Sequence, residues 1–490
     1  MKKLLEIIKN KWLRDTVLTI LIIATVILAY MALNLGFQIL DITDIDLTKE
    51  KYYSISEETK NQLNSIDKPI NIYMFGYNEN SSSVDLAKQY SKYKENINVE
   101  VVSINDRPDL AEKYSVTSTD EQYQTIVFEC EGRTVKANSY DFLTQDYNTG
   151  EYIDLTEQKI TNSILGVILE NAPKIYLLEG HSEYSKNDYL MPLVAELESA
   201  VNEVKTLNLL VSEKVPEDCQ TLIISNPSTD FTNLETNLII EYVKNGGNIM
   251  WMSDYSKNGI LKNAQKILDL YGITVHNDGI VAEQDKNAIL IQQPDIILPQ
   301  INEEAEITNP FAKTGKVVFI DSGKIITEKE EKLTELGVEI TPLLMTSDKA
   351  FYRTDLTQKS TSPVKGEEEG QLLLGAIASK TIEKEDGTIT SNLVVYANNL
   401  FATDYPLTIS NQYVSSVYLG NNMDLLLNSI SYLTERTDTI TIRKAYSSTA
   451  YTPTAAEDLV VRIIIFVVPL LIIVAGIVIW ILRKRRKTRA

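Results

Sequence analysis

Cysteine and histidine are nearly missing from this chain, which has two of each in 490 residues. With only His181 and His276, a histidine-rich metal site is excluded, and neither a metal nor an organic cofactor is expected. The cysteines, Cys130 and Cys219, form no CxxC pair, so a dithiol redox centre and a disulfide scaffold are excluded as well. They read as two small buried hydrophobes, with a disulfide between domains as the alternative. P-loop, GxSxG and HExxH sequences are absent too, so the chain carries no signature for ATP hydrolysis, serine hydrolysis or zinc proteolysis. Basic residues are also in deficit: 47 against 67 acidic ones, a net charge of −20. A chain this acidic is repelled by phosphate backbones, and nucleic-acid binding is set aside.

Apolar residues, by contrast, are concentrated at the two ends. Residues 16–35 and 463–482 are each a run of roughly 20 apolar positions, the length a helix needs to cross a bilayer core. Helical backbone satisfies its own amides there, so each run is expected to be one membrane helix, placed at 16–37 and 462–482. Lys2, Lys3, Lys9, Lys11 and Arg14 precede the first run, and Arg483, Lys484, Arg485, Arg486, Lys487 and Arg489 follow the second. Cationic flanks stay on the cytoplasmic side, which predicts a two-pass protein of the cell membrane with both termini inside and the middle exported. With the flanking charges removed, that middle carries about −29. A cleaved signal peptide is the alternative for the first run. Against it stand its length and the bulky Leu33-Asn34-Leu35-Gly36-Phe37 stretch where a small-residue cleavage site would be needed. The basic tail at 483–490 would also meet anionic lipid.

Between the spans the chain is too long for one core. Residues 45–150 read as helix, strand 70–75, helix 84–94, strand 97–104, short helix 108–114, then strands 125–129 and 134–137 around Glu131-Gly132. This order resembles a thioredoxin-like fold, but Gly76-Tyr77-Asn78-Glu79 stands where a redox motif would follow the first strand. The second domain, 151–444, opens with an amphipathic helix at 156–170, its apolar positions at Ile160, Ile164, Val167 and Ile168. Strand 174–178, helix 188–201, strands 204–209 and 221–225, helix 233–244 and strand 248–253 follow. That alternation predicts a parallel sheet, a Rossmann- or flavodoxin-like arrangement of the type shared by class I glutamine-amidotransferase-like domains. Further pieces are a helix at 261–271 and strands at 317–320, 372–379 and 392–397. Residues 357–371 read as an exposed loop and 445–461 as the linker to the membrane.

Several stretches in this order resemble the GldG-like family, auxiliary subunits of ABC-type (ABC-2) transport systems with gliding-motility-associated members. They are Tyr53-Ser54-Ile55-Ser56, Thr156-Glu157-Gln158-Lys159-Ile160-Thr161, Glu179-Gly180-His181-Ser182-Glu183, and Asn226-Pro227 followed by Tyr242-Val243-Lys244-Asn245-Gly246-Gly247. Gly420-Asn421-Asn422-Met423-Asp424 and the residues 438–443 complete the set. The resemblance implies a non-enzymatic accessory protein beside an ABC-2-type permease and a separate ATPase, in a homo- or hetero-oligomer. Gliding itself does not follow from it.

The sharpest local feature is the turn Glu179, Gly180, His181, Ser182 and Glu183 after a predicted strand. The carboxyl end of a parallel strand is where α/β sheets bind ligands, and Glu183 could orient the His181 ring. The plainer reading is a strand–helix turn in which Gly180 permits the bend and His181 bonds locally, and this is preferred over catalysis. An amidotransferase would need a nucleophilic cysteine on a tight elbow, yet Cys219 precedes a strand and the elbow position reads Ser225-Asn226-Pro227-Ser228. Two other functions remain to be weighed: a ligand-binding or sensory ectodomain, and a cell-surface hydrolase using His181 and Glu183.

Overall fold

In a computed structural model, the structure is described for residues 54–436, except 146–151, 170, 201, 258, 314, 359, 386 and 410–411, and for 444–446 and 476. Apart from Gly476, the two expected membrane spans and the basic tail lie outside the described residues. Among the described residues no helix is long and apolar enough to cross a membrane.

The first part is a mixed sheet with helices. Helix α1 (Glu57–Asn64) leads into β1 (Ile70–Phe75), α2 (Ser82–Tyr93), β2 (Ile97–Val102), α3 (Pro108–Lys113), α4 (Ser118–Gln122), β3 (Thr125–Cys130) and β4 (Arg133–Asn138). The strands lie in the order β2-β1-β3-β4, with β1 parallel to β2 and antiparallel to β3. Local chemistry sets the helix starts. Ser81 accepts the Val84 amide at the head of α2, Pro108 occupies the first turn of α3, and Thr117 and Asp120 form a capping box on α4. The helix at 118–122 is not among the elements expected from sequence, being only five residues long.

Helix α5 (Thr156–Ile168) departs from the amphipathic pattern. Its residues from Thr156 to Val167 are buried, polar and apolar alike. Polar partners compensate for this on several sides. Thr59 donates to Glu157 Oε1 at 2.6 Å, and the Tyr90 hydroxyl lies 2.7 Å from that of Thr161. Arg133 on β4 donates to the carbonyls of Val167 and Ile168, while Lys159 Nζ reaches Glu196 Oε2 at 2.7 Å. A buried polar side chain is tolerated only when hydrogen-bonded, and these bonds make α5 a brace between the first sheet and the second.

The second part is built on a sheet of ten strands among the described residues, one of them the two-residue strand Gln300–Ile301, which pairs antiparallel with the strand at Val338–Met345. Its elements begin with β5 (Lys174–Leu178), α6 (Met191–Ser199), β6 (Glu203–Leu207), β7 (Thr221–Ser225), α7 (Asn233–Lys244), β8 (Asn248–Met252), α8 (Lys262–Leu268) and β9 (Ile273–His276). They continue with β10 (Lys324–Thr327), β11 (Val338–Met345), β12 (Leu373–Lys384), β13 (Gly387–Tyr396) and α9 (Asn422–Leu433). The main path runs β9-β10-β12-β13-β8-β7-β5-β6. From β13 to β6 all neighbours are parallel, as the alternating pattern predicts. Beyond β13 the prediction of a parallel sheet fails: β12 and β13 form a tight antiparallel hairpin, pairing Lys384 with Gly387, and β11 also runs antiparallel to β12. Gly387 takes φ +138° at that turn, where a side chain would be strained.

Every residue of β7 and β8 is buried, which is why both read as continuous apolar runs. Alternate side chains sort into two cores. Ile223, Met250, Met252 and Val394 face one side with α6 and α9; Leu222, Ile224, Trp251 and Val395 face the other with α7 and α8. The start of the expected linker is also structured: Lys444–Tyr446 pairs with Tyr152–Asp154, which pairs in turn with Leu143–Gln145.

Candidate functional site

The site is assembled at the carboxyl ends of the parallel strands. β5 ends at Leu178 and the chain enters Glu179-Gly180-His181-Ser182-Glu183, pinned at its start by the Glu179 amide donating to Leu207 O at 2.9 Å. Gly180 takes φ +132° and Ser182 φ +60°. Two left-handed residues in three reverse the chain and turn His181 inward while leaving Ser182 exposed.

His181 is 5% exposed and held from three directions. Its amide donates to Glu183 Oε2 at 2.6 Å, and its Nδ1 lies 3.1 Å from Glu183 Oε1. Its Nε2 lies 3.2 Å from Oε2 of Glu235, and its ring meets Phe231 edge-on at 4.6 Å. Its carbonyl accepts the Ser228 amide at 2.9 Å. Glu235 sits in the first turn of α7, in a capping box with Thr232. The turn is legible in the sequence but this partner is not, although Thr232-Asn233-Leu234-Glu235 has the capping-box spacing.

A neutral imidazole has one N–H, so it can donate to only one of two carboxylates. Both ring nitrogens face carboxylate oxygens, which fits the doubly protonated ring. Burial pulls the His181 pKa down, but the bonds and charges of Glu183 and Glu235 outweigh it and leave the pKa raised. For Glu235, burial pushes upward, and the Thr232 donors and the His181 charge more than compensate, so its pKa is lowered. With both ring nitrogens facing carboxylates, His181 fastens the turn to the first turn of α7.

A second polar group lies at the ends of β7, β8 and β13. Ser225 donates to Asn399 Oδ1 at 2.8 Å, and the Asp254 amide donates to Asn226 Oδ1 at 3.0 Å. Asp254 Oδ1 accepts the amides of Asn399 and Leu400 at 2.6 and 2.8 Å, while its Oδ2 has no hydrogen-bond partner. Burial, with some help from Asp321, pushes Asp254 up to about 6. Asn226 at the elbow position takes φ +54°, so the elbow is present and carries an amide instead of a nucleophile. Cys219 lies before β7, buried and free, its thiol pushed up to about 12 by burial; Cys130 is likewise buried and free. Among the described residues no cluster of His, Cys, Asp or Glu could hold a metal ion.

The molecule is thus a mixed α/β protein of several sheets, with an anchored polar turn at the carboxyl edge of its main sheet. A family model described as an ABC-type uncharacterized transport system matches residues 172–429, more than half of the chain, and the chain belongs to that family of auxiliary components. A second model, described only as a domain of unknown function, matches residues 49–140. No curated protein matches the chain. Among solved structures, the mmIFT52 N-terminal domain is similar at 17% identity and a TM-score of 0.37, covering 53% of this chain and 97% of that one. A ThuA-like protein from Parabacteroides merdae is similar at 13% identity and a TM-score of 0.30, covering 59% of this chain and 96% of that one.

Proposed function

We propose that the chain is a non-enzymatic, membrane-anchored subunit of an ABC transport complex, working beside an ABC-2-type permease and a separate ATPase. Membership of the auxiliary family gives it an accessory role in an ABC transport system. The two terminal apolar runs and their basic flanks support a two-pass topology with the folded body outside the membrane. The sheet order β2-β1-β3-β4 supports a thioredoxin-like first domain lacking a redox motif. The parallel run from β13 to β6 supports a Rossmann- or flavodoxin-like second domain.

The observation that carries the reading is the His181 clamp. Its ring is engaged by two carboxylates, so the turn is a rigid, exposed Ser182 platform suited to contacting permease or substrate and unsuited to chemistry. Isolation of the tagged full chain from its native membrane is the test. The permease and the ATPase should be recovered with it, and a photo-crosslinker in place of Ser182 should capture one of them. Recovery of the chain without either transporter component would overturn the proposal.

A further inference from the structure

Residues 179–190, between β5 and α6, lie across the carboxyl ends of the parallel strands. The two ends of this segment are fixed: the Glu179 amide donates to Leu207 O, and Leu190 is fully buried at the head of α6. Lys186 also ties it to Glu198 Oε1 and the Val204 carbonyl, both at 3.0 Å. Between those points two titratable groups hold the segment down, and the geometry around each fits its protonated form.

His181 is the first. Its ring nitrogens lie 3.1 Å from Glu183 and 3.2 Å from Glu235, and both of those side chains are only 1% exposed. Two carboxylates facing one ring call for two N–H donors, the arrangement of an imidazolium. Asp254 is the second. Tyr184 donates its amide to Ser225 O at 3.2 Å, and its hydroxyl faces Asp254 and Asn226. Beneath it Asp254 Oδ1 accepts the amides of Asn399 and Leu400, while Oδ2 has no hydrogen-bond partner. An ionised carboxylate draws donors to both oxygens, so one bare, buried oxygen fits the undissociated acid. Asp321 adds like charge beside Asp254, and Asp295 in turn acts on Asp321.

We propose that residues 179–190 form a proton-locked strap, held on the sheet edge while His181 and Asp254 keep their protons and loosened as rising pH removes them. Loss of the imidazolium proton turns a ring lone pair toward a carboxylate. Ionisation of Asp254 leaves a sealed charge next to Asp321, which water relieves once Tyr184 lifts. For His181, burial opposes the proton and the two glutamates more than restore it; for Asp254, burial raises the pKa to about 6. A group raised in the closed form favours that form at low pH and releases it as pH passes the raised value, so both groups act in one direction. The exposed Ser182 turn is therefore held firmly in acid and loosely in alkali. The inference goes beyond the accessory role and stands whether or not that turn meets a permease.

The test is hydrogen exchange of the full chain in neutral detergent, resolved to single amides, from acid to alkaline pH and corrected for the intrinsic rate. The reporters are the Tyr184 amide on Ser225 O and the Ser228 amide on His181 O. Their protection should fall by about tenfold or more as pH rises, and low urea should not speed their exchange, the mark of a local opening. The amides of Ile223 and Trp251 inside β7 and β8 should stay more protected at every pH. His181→Gln combined with Asp254→Asn should flatten the fall to less than about twofold. The profile of the natural chain is decisive even if that variant does not fold. A flat profile in the natural chain, an equal fall in the variant, or reporters that exchange only together with Ile223 and Trp251 would overturn the proposal.

Discussion

Nε2 of His181 and Oε2 of Glu235 lie 3.2 Å apart although the residues are 54 positions apart in the chain, and this contact fastens the exit of β5 to the first turn of α7. Because the ring also meets Glu183, removing it leaves two buried carboxylates short of a partner. His181→Ala should therefore destabilise the protein by about 3 kcal/mol, the range for breaking a buried charge pair. The sign with pH follows from the raised His181 pKa. Its stabilisation is fully present below the unfolded value of roughly 6.5 and is lost as pH rises through the higher folded value. Urea midpoints between pH 6 and 9 should fall with pH in the natural chain and should be flatter in His181→Gln. An unchanged slope in the variant would show that the clamp is not charged.

Asp254 should behave in a different pH window. Its folded pKa of about 6 lies above the unfolded value of roughly 3.9, so its contribution is present below that unfolded value and is lost as pH rises through 6. Asp254→Asn keeps an oxygen for the amides of Asn399 and Leu400 and removes a buried charge. At pH 7.5 the variant should be more stable by on the order of 1–3 kcal/mol, and at pH 4.5 it should have no advantage. Thermal unfolding at the two pH values checks this, and lower stability at pH 7.5 would contradict it.

Lys159 tests the brace formed by α5. Its Nζ lies 2.7 Å from Glu196 and 3.1 Å from the Ser199 hydroxyl, and its side chain is 8% exposed. Lys159→Ala should cost about 2 kcal/mol through the lost charge-assisted bonds. Hydrogen exchange should rise in α5 and α6 together, whereas a rise confined to one of them would argue against a shared brace.

Arg353 should govern the following loop. Its guanidinium bonds Glu367 at 2.7 and 3.1 Å and the Ser362 carbonyl at 3.0 Å, and it also reaches the Ser360 carbonyl. Read from sequence as an exposed loop, residues 357–371 are thus tied from beneath. Arg353→Lys loses the two-pronged geometry, so trypsin should cut at Lys365 several-fold faster in the variant. Equal cutting rates would show that the loop is ordered by something else.

Much of the framework was legible before folding was considered. Strands 174–178 and 221–225 and helix 233–244 are found where their patterns put them, because each is bounded by local signals: Asn226-Pro227, the Thr232 cap and Gly246-Gly247. The antiparallel turn of the sheet was missed although Asp386-Gly387 is a hairpin signal, since a buried strand pair reads the same whichever way it runs. The candidate turn was legible as a turn; the role of its histidine was not.

What the sequence determines by itself is what depends on near neighbours and on totals: the apolar spans, the charge that flanks them, the acidic middle, the strand–helix alternation and the missing catalytic motifs. Tertiary structure decided the rest. It buried the polar face of α5 and set Glu235 against His181. Those are contacts between segments far apart in the chain, and their strength comes from burial and low dielectric, which exist only once the sheets have packed.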